Sequence, residues 1–205
     1  AELVSRELEL TLTGRDCGLT QRAPMCGVPY HAVDTYISRL IDKGYKVAIC
    51  DQMTDPAESN GLVERAITRI ITPGTVIEAN LLDDRAPSYI LSLCFQKDKA
   101  GVAFCDVSTG EFSVYLVIPA SGRLFDELRR IAPKELLVSD IERLNALGLG
   151  DAAPVSQMEA SAFDYKTAMS VLTAHFPLSA QETLTLAGDK LCVCAAGALM
   201  LYLTD

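Results

Sequence analysis

Two aspartates in the second half of the chain stand where an α/β protein could use them for metal-dependent chemistry. Asp106 ends one apolar, strand-like stretch and Asp140 follows another, ELLV. Carboxylates at strand ends can converge on divalent metal ions that cleave phosphodiesters. The same positions also suit local roles, because Asp106 with Ser108 can start a turn and Asp140 can cap a helix beginning at Ile141. We favour the turn and the cap, and metal-dependent cleavage stays open as the alternative.

Other catalytic signatures are missing from the sequence. It contains no G-x-x-x-x-G-K-[ST], no G-x-G-x-x-G and no G-x-S-x-G string. These are the patterns of P-loops, dinucleotide sites and serine hydrolases. The two histidines, His31 and His175, lie at the start and the end of predicted helices, where structural roles are more common than catalysis. We therefore expect no catalytic residue in this chain.

The seven cysteines do not form a metal-binding pattern. There is no C-x-x-C, and only Cys192 and Cys194 are close in sequence. A structural zinc site needs four converging ligands, so we expect no metal. An odd number of cysteines scattered through apolar stretches is typical of reduced, buried thiols in a cytosolic protein.

One segment carries the residue types that bind phosphates. Residues 11–46 hold five basic and three acidic residues, although the whole chain has a formal net charge of -9. The string PMCGVPYH, residues 24–31, directly precedes a predicted helix, and the backbone N–H groups of a helix N-terminus suit an anion. An ordinary connecting loop explains the same string equally well.

The distribution of charge limits what the protein can bind. Residues 1–75 contain 8 basic and 10 acidic residues, whereas residues 76–205 contain 10 and 17. A protein wholly devoted to coating nucleic acid or an anionic membrane needs a basic surface, so that class is excluded. The longest uncharged apolar run, 191–203, is too short to cross a bilayer. We expect a soluble, cytoplasmic protein without a membrane partner.

The first part of the chain contains apolar patterns typical of helices and others typical of strands. The apolar stripe at positions 33, 36, 37, 40 and 41 predicts a helix over 32–43, which Gly44 ends. Around it we expect a loop over 14–27 and three strands, over 9–13, 45–50 and 65–71, the last two of them buried. A stretch of linker-like composition, 76–87, follows.

The second part predicts a layered α/β domain. Three strand-like stretches with tight turns between them indicate an antiparallel meander: 88–95, 101–107 and 111–117. A buried strand is expected over 135–138, with helices over 124–131, 141–147, 164–175 and 190–203. A meander followed by helix, strand and helix predicts a mixed sheet with helices packed on it, the order in which ribonuclease H-like nucleases begin.

Long strings in the sequence resemble one protein family. LTLTGRD, PMCGVPYHAVDTYISRLIDKGYKVAICDQ and VERAITRIITPGT are similar to the mismatch-binding domain of the bacterial MutS mismatch-repair family. GVAFCDVSTGEF, PKELLVSD and LCVCAAGALMLYL resemble the family's connector domain and the first helix of its core. The chain starts at Ala1 inside a helix-like stretch, so we expect it to be a piece of a longer protein.

The resemblance implies a fold and a layout. We expect a truncated mismatch-binding domain over 1–75, a linker over 76–87, a connector over 88–189 and the first core helix over 190–205. The first domain would have a mixed sheet, and the connector would be ribonuclease H-like without nuclease activity. In the family, a Phe-x-Glu motif that inserts into the mismatch lies upstream of the helix that begins this chain, which contains no Phe-Tyr-Glu.

The resemblance also implies a function. We expect part of a DNA mismatch-repair protein that binds mismatched double-stranded DNA through Arg15, Met25, Gly27, Tyr30 and His31. In the whole protein, a homodimer, recognition would be coupled to ATP hydrolysis with Mg²⁺ and to recruitment of a MutL-type partner. The docking surface for that partner would include Met169 and Ser170, whereas this chain would hold no cofactor and catalyse nothing. A ribonuclease H-like nuclease and a docking module without a DNA role are the alternatives.

Overall fold

The computed structural model describes residues 1–18, 21–54, 63–75, 87–119, 122–177 and 189–204. The chain forms two compact units that divide between Pro73 and Gly74; we call them unit 1 and unit 2. The predicted linker, 76–87, lies outside the described residues except for Pro87.

Unit 1 is built from helices and two antiparallel ribbons. Its elements are α1 (Glu2–Leu8), β1 (Thr13–Arg15), β2 (Ala23–Met25), a 3-10 turn (Tyr30–Ala32), α2 (Val33–Asp42), β3 (Val47–Gln52) and β4 (Arg65–Ile71). β1 pairs with β2, and β3 pairs with β4. The helix predicted over 32–43 is confirmed as α2, and Gly44 follows it with a left-handed backbone, φ 81°, which ends the helix.

Three of the predictions for unit 1 are wrong. The strand expected over 9–13 does not form, because a left-handed Glu9 follows α1 and β1 begins only at Thr13. The loop expected over 14–27 contains β2 and most of β1, which are too short to produce a periodic signal. The strands expected to be buried, β3 and β4, are largely exposed, because a two-stranded ribbon covers little of its own faces.

Unit 2 contains a five-stranded mixed sheet. Its strands are β5 (Tyr89–Gln96), β6 (Lys99–Asp106), β7 (Glu111–Val117), β8 (Glu135–Val138) and β9 (Val155–Gln157). Their order across the sheet is β7-β6-β5-β8-β9. The pairs among β5, β6 and β7 are antiparallel, whereas β8 runs parallel to both β5 and β9. The predicted meander and the ribonuclease H-like mixed sheet are confirmed.

Helices cover both faces of this sheet: α3 (Arg123–Ile131), α4 (Ile141–Ala146), α5 (Tyr165–His175) and α6 (Lys190–Thr204). One core, which includes Leu93 and Leu128, lies on the side of α3 and α4. The other, which includes Ile90 and Leu172, lies on the side of α5 and α6. Alternate residues of β5 enter the two cores, as expected for a strand that is buried on both faces.

Two glycines allow α6 to approach its neighbours closely. A Cβ at Gly101 of β6 would lie 2.2 Å from the carbonyl oxygen of Leu191, and one at Gly197 would lie 2.2 Å from the Cβ of Ala168 in α5. The backbone of α6 therefore rests directly on the sheet and on α5. Although α6 is strongly apolar, no helix among the described residues is long and apolar enough to cross a membrane.

A buried carboxylate joins several segments of unit 2. Glu135 is fully buried at the start of β8. Its Oε1 accepts hydrogen bonds from the hydroxyls of Ser156 and Tyr202, the latter at 2.6 Å, and its Oε2 accepts one from the Gly74 N–H at 3.1 Å. These donors satisfy the carboxylate inside the core and tie β8 to β9, to the end of α6 and to the segment at Gly74.

Candidate nucleic-acid interface

The ribbon of β1 and β2 carries two exposed arginines at one end. Met25 lies at the other end, and its partner on β1 is two residues before Arg15, which separates the ends by about 7 Å. Arg22 directly precedes β2 and lies on the face of Gly14, where a Cβ would be 3.1 Å from the Cβ of Arg22. Because successive residues of a strand face opposite sides, Arg15 and Arg22 occupy the two faces of the same end.

Local hydrogen bonds support both ends of the ribbon. Thr13 Oγ1 donates to the carbonyl of Met25 at 2.9 Å, and the Gly18 N–H donates to Asp16 Oδ1 at 3.0 Å. The second bond forms an Asx turn directly after Arg15. Among the described residues, neither Arg15 nor Arg22 has a carboxylate within salt-bridge distance. Both guanidinium groups are therefore available to a phosphate.

The other basic residues of 11–46 interact within the protein. Lys43 Nζ lies 3.0 Å from Glu7 Oε2, and this hydrogen bond lowers the pKa of Glu7 below its ordinary value. The Arg39 guanidinium lies over the ring of Tyr36, 5.9 Å from its centroid. Lys46 also has an interaction partner. The positive charge that is open to a ligand is thus concentrated at the end of the ribbon.

The segment between the ribbon and α2 is exposed. Tyr30 has 94% of its surface in solvent, and Met25 and His31 are exposed as well. Tyr30 begins the 3-10 turn that leads into α2, and no side chain caps the start of either element. An exposed ring can stack on a base, and uncapped N–H groups can bind a phosphate.

Four of the five predicted DNA-binding residues lie in one short stretch of the sequence, between β2 and α2: Met25, Gly27, Tyr30 and His31. Arg15 lies at the opposite end of the ribbon from Met25. Sequence reasoning missed Arg22, because treating 14–27 as a loop hides the strand pairing that places Arg22 at the same end as Arg15. The signal in the sequence that could have indicated this site was Arg22 itself, a second arginine that follows Arg15 after a turn.

The two candidate metal-binding aspartates lie at opposite ends of the sheet of unit 2. Asp106 pairs with Tyr89, at the end where β5 and β8 begin, whereas Asp140 follows the other end of β8. This separation arises because β6 runs antiparallel to β5 and β8 runs parallel to it. Metal ligands lie within about 2.6 Å of the ion, so the geometry contradicts the nuclease that would use Asp106 and Asp140 together.

Asp106 and Asp140 serve the local roles that the sequence predicts. Asp106 Oδ1 accepts hydrogen bonds from the Ser108 N–H at 3.0 Å and the Ser108 hydroxyl at 2.7 Å. Burial raises the pKa of Asp106, but these hydrogen bonds outweigh burial and lower it below its ordinary value. Asp140 Oδ1 accepts from the Arg143 N–H at 2.9 Å and caps α4. In the described part of the chain, no group of three His, Cys, Asp or Glu residues could hold a metal ion.

Although Phe-Tyr-Glu is absent, one other Phe-x-Glu string occurs, at 125–127 in α3 of unit 2. Glu127 accepts hydrogen bonds from the Tyr115 hydroxyl and the Arg130 guanidinium, both at 2.7 Å. The Phe125 ring lies 4.6 Å from the guanidinium carbon of Arg129. These side chains make contacts within unit 2, and residues 1–75 contain no phenylalanine.

The two predicted partner-docking residues lie on α5 and differ in exposure. Ser170 is exposed, whereas Met169 is half-buried and packs against the core of unit 2. Thr173 Oγ1 donates to the carbonyls of both residues, at 2.8 Å and 3.0 Å. The open face of α5 therefore presents Ser170, with Met169 at its edge.

The prediction of buried thiols is correct only in part. All seven cysteines are free, and three of them are buried: Cys105, Cys192 and Cys194. Cys26 and Cys94 are half-buried, and Cys17 and Cys50 are exposed. The exposed pair lies on or beside the thin ribbons of unit 1, where an apolar sequence stretch does not imply a core.

Comparison with known proteins identifies the family domain to which each unit corresponds. The chain matches the family model of MutS domain I over residues 1–80 and that of MutS domain II over residues 88–205. The DNA mismatch repair protein MutS of Ruminiclostridium cellulolyticum is 43% identical over 210 residues, which cover 99% of this chain and 24% of that protein. Its counterpart from Clostridium novyi is 51% identical over 140 residues, which cover 68% of this chain and 15% of that protein.

A third relative gives the same result: MutS of Dehalococcoides mccartyi strain BAV1 is 41% identical over 205 residues, covering 100% of this chain and 24% of that protein. The chain thus spans about a quarter of the length of the curated relatives that it matches over its whole length. Because the two family models together cover nearly all of both units, this chain belongs to the MutS family of DNA mismatch repair proteins, of which it holds domains I and II.

Proposed function

We propose that this chain is the part of a MutS protein that contacts duplex DNA through unit 1 and a partner protein through unit 2. The observation that supports DNA contact is the arrangement of Arg15 and Arg22 at one end of an exposed ribbon, with Tyr30 exposed beside the start of α2. Guanidinium groups bind phosphates without reading sequence. An exposed aromatic ring adds a surface on which a base or sugar can pack.

The charge of the chain sets the expected strength of this binding. A net charge of -9 repels the DNA backbone, so attraction has to come from local positive groups such as those at the end of the ribbon. Binding that depends on a few phosphate contacts is weak and falls steeply with salt. We therefore expect weak, salt-dependent binding of duplex DNA by this chain.

The test is a titration of labelled matched and mismatched duplexes at several salt concentrations, followed by fluorescence anisotropy. Arg15→Ala and Arg22→Ala should each weaken binding of both duplexes equally. Each should also make the plot of log binding constant against log salt concentration less steep, by about 0.9 in slope. Arg129→Ala is the matched control, because it removes the same charge from the surface of unit 2. An equal loss in that control would contradict the ribbon as the binding surface.

Mismatch preference provides a second readout in the same titration. Residues 1–75 contain no phenylalanine, and mismatch binders that kink DNA insert an apolar wedge to offset the unstacking. We therefore expect equal affinity for matched and mismatched duplexes. A preference of about tenfold that Tyr30→Ala abolished would contradict this expectation and identify Tyr30 as the inserting residue.

For the whole protein we propose mismatch repair in the cytoplasm by a homodimer that couples DNA recognition to ATP hydrolysis with Mg²⁺ and recruits a MutL-type partner. The open face of α5 around Ser170, with Met169 at its edge, is the proposed docking surface. We assign neither ATP nor Mg²⁺ to any residue of this chain, which has no G-x-x-x-x-G-K-[ST] string, and we propose that the chain itself catalyses nothing. The proposed layout is a truncated mismatch-binding domain over 1–75, a linker over 76–87 and a connector over 88–189. The first helix leading into the core domain follows over 190–205.

A further inference from the structure

Two cysteines face each other where α6 lies on the sheet of unit 2. Cys94 is half-buried on β5 and packs into the core on the side of α5 and α6. Its neighbours in sequence, Leu93 and Phe95, belong to the opposite core. Cys194 is buried in the same layer, in the second turn of α6. Both thiols are free.

The close approach of α6 to the sheet brings these cysteines together. In the register of the sheet, Cys94 is directly opposite Gly101. The carbonyl of Leu191 lies on Gly101, within 2.2 Å of where a Cβ would be. Residues three apart on a helix share a face, so Cys194 lies one turn beyond Leu191 and on the same side of α6. The side chain of Cys94 therefore meets the helix at the level of Cys194.

Packing supports the same placement: Cys94 lies against the cluster that contains Ala198, which shares a face of α6 with Cys194, four residues earlier. The interaction between the two thiols raises the pKa of Cys94 and lowers the pKa of Cys194, although burial opposes the second effect. Cys194 is therefore the first of the two to become a thiolate, the form that reacts with oxidants. Cys192 is two residues away on the helix, so it points to a different side.

We propose that Cys94 and Cys194 form a redox-sensitive dithiol that closes to a disulfide when the protein meets a small peroxide. The Cys194 thiolate attacks one oxygen of hydrogen peroxide, which breaks the O–O bond and yields a sulfenic acid and hydroxide. The sulfur of Cys94 then attacks the sulfenic sulfur, forms the S–S bond and releases water. The hydroxide takes up the proton that Cys194 lost, so the dithiol is oxidised and the peroxide is reduced to two waters.

The bond would fasten α6 to the centre of the sheet. Cys94 and Cys194 are 100 positions apart in the chain, and a cross-link that closes a long loop strongly restricts the unfolded chain. We expect the oxidised protein to unfold several degrees higher than the reduced protein. Reduction by a dithiol should restore the original midpoint.

Peptide mapping of the peroxide-treated 205-residue chain, without reduction, tests this proposal. Trypsin should leave Cys94 in the peptide 86–97 and both Cys192 and Cys194 in the peptide 191–205. The monomer is isolated first, because the exposed Cys17 and Cys50 can link separate chains. We expect 86–97 joined to 191–205, with the loss of two hydrogen atoms.

Variants identify the partner of Cys94. Cys192→Ser is the matched control and should retain the cross-link, whereas Cys194→Ser and Cys94→Ser should both lose it. The rise in unfolding temperature on oxidation should also disappear in Cys94→Ser, which changes a half-buried position and leaves α6 intact. A cross-link that survives in Cys194→Ser and is lost in Cys192→Ser would overturn the assignment. Separate oxidation of the two thiols to sulfinic acids, without a cross-link, would overturn the proposal itself.

Discussion

β4 and β5 both contain several large apolar residues, but their surroundings are opposite. Ile67 and Ile70 of β4 are 62% and 58% exposed, whereas Leu91 and Leu93 of β5 are 0% and 1% exposed. β4 belongs to a two-stranded ribbon, and β5 is the middle strand of five. An apolar strand is thus buried by the layers packed on it and not by its own sequence.

The same difference separates the chemistry of the two units. In unit 2, the buried polar group Glu135 is satisfied by donors from three segments. In unit 1, Arg15, Arg22 and Tyr30 point into solvent from short elements. A layered core leaves few side chains available to a ligand, whereas a thin ribbon exposes nearly all of them. The unit with the layered core and the unit that presents the candidate DNA-binding side chains are therefore different parts of the chain.

The largest effect should come from the core of unit 2. Leu93→Ala should lower its free energy of unfolding by about 3 kcal/mol, because a buried leucine loses its contacts and leaves a cavity. The matched substitution in β4, Ile67→Ala, should change stability by less than about 0.5 kcal/mol. Urea unfolding followed by circular dichroism measures both. Equal losses would show that β4 is covered in solution and would remove the contrast between the units.

A smaller effect should follow from filling the space at Gly197. Gly197→Ala places a methyl group against the Cα and Cβ of Ala168, so α5 and α6 must move apart at a cost of about 2 kcal/mol. Gly27→Ala is the control in unit 1, where a Cβ would meet nothing within 4 Å. The change in urea midpoint gives both values. A stabilised Gly197→Ala protein would mean that the two helices are not in direct backbone contact.

The smallest effect concerns Asp106 and depends on pH. Because its pKa is lower in the folded chain than the ordinary value of 3.8, the ionised carboxylate stabilises unit 2 at neutral pH. This contribution is lost as the pH falls through the folded pKa. Asp106→Asn should therefore cost about 1 kcal/mol at neutral pH, with a smaller difference below pH 3.8.

Asp140→Asn is the matched control for that measurement, since asparagine caps a helix as well as aspartate does. It should change stability by less than about 0.5 kcal/mol across the pH range. Unfolding curves at several pH values distinguish the two variants. A pH-independent loss in Asp106→Asn would show that the charge of Asp106 does not contribute to stability.

Local signals in the sequence correctly predicted the longer elements and the cap. The apolar stripe of α2, the meander of β5, β6 and β7 and the capping role of Asp140 each depend on residues close together in the chain. The short strands β1 and β2 were missed, because three residues are too few for a periodic pattern and their stability comes from pairing with each other. The same error hid Arg22 as a companion of Arg15 in the candidate interface.

By itself, the sequence determined the two-part α/β organisation, the positive character of 11–46 and the turn and cap at Asp106 and Asp140. Periodicity, capping and charge are properties of neighbouring residues, so they can be seen without a fold. Only the tertiary structure decided that Asp106 and Asp140 lie at opposite ends of the sheet, because strand direction decides which strand ends meet. It also decided that Cys94 packs against α6, because that placement depends on Leu191 of α6 resting on Gly101, which is distant from it in the chain.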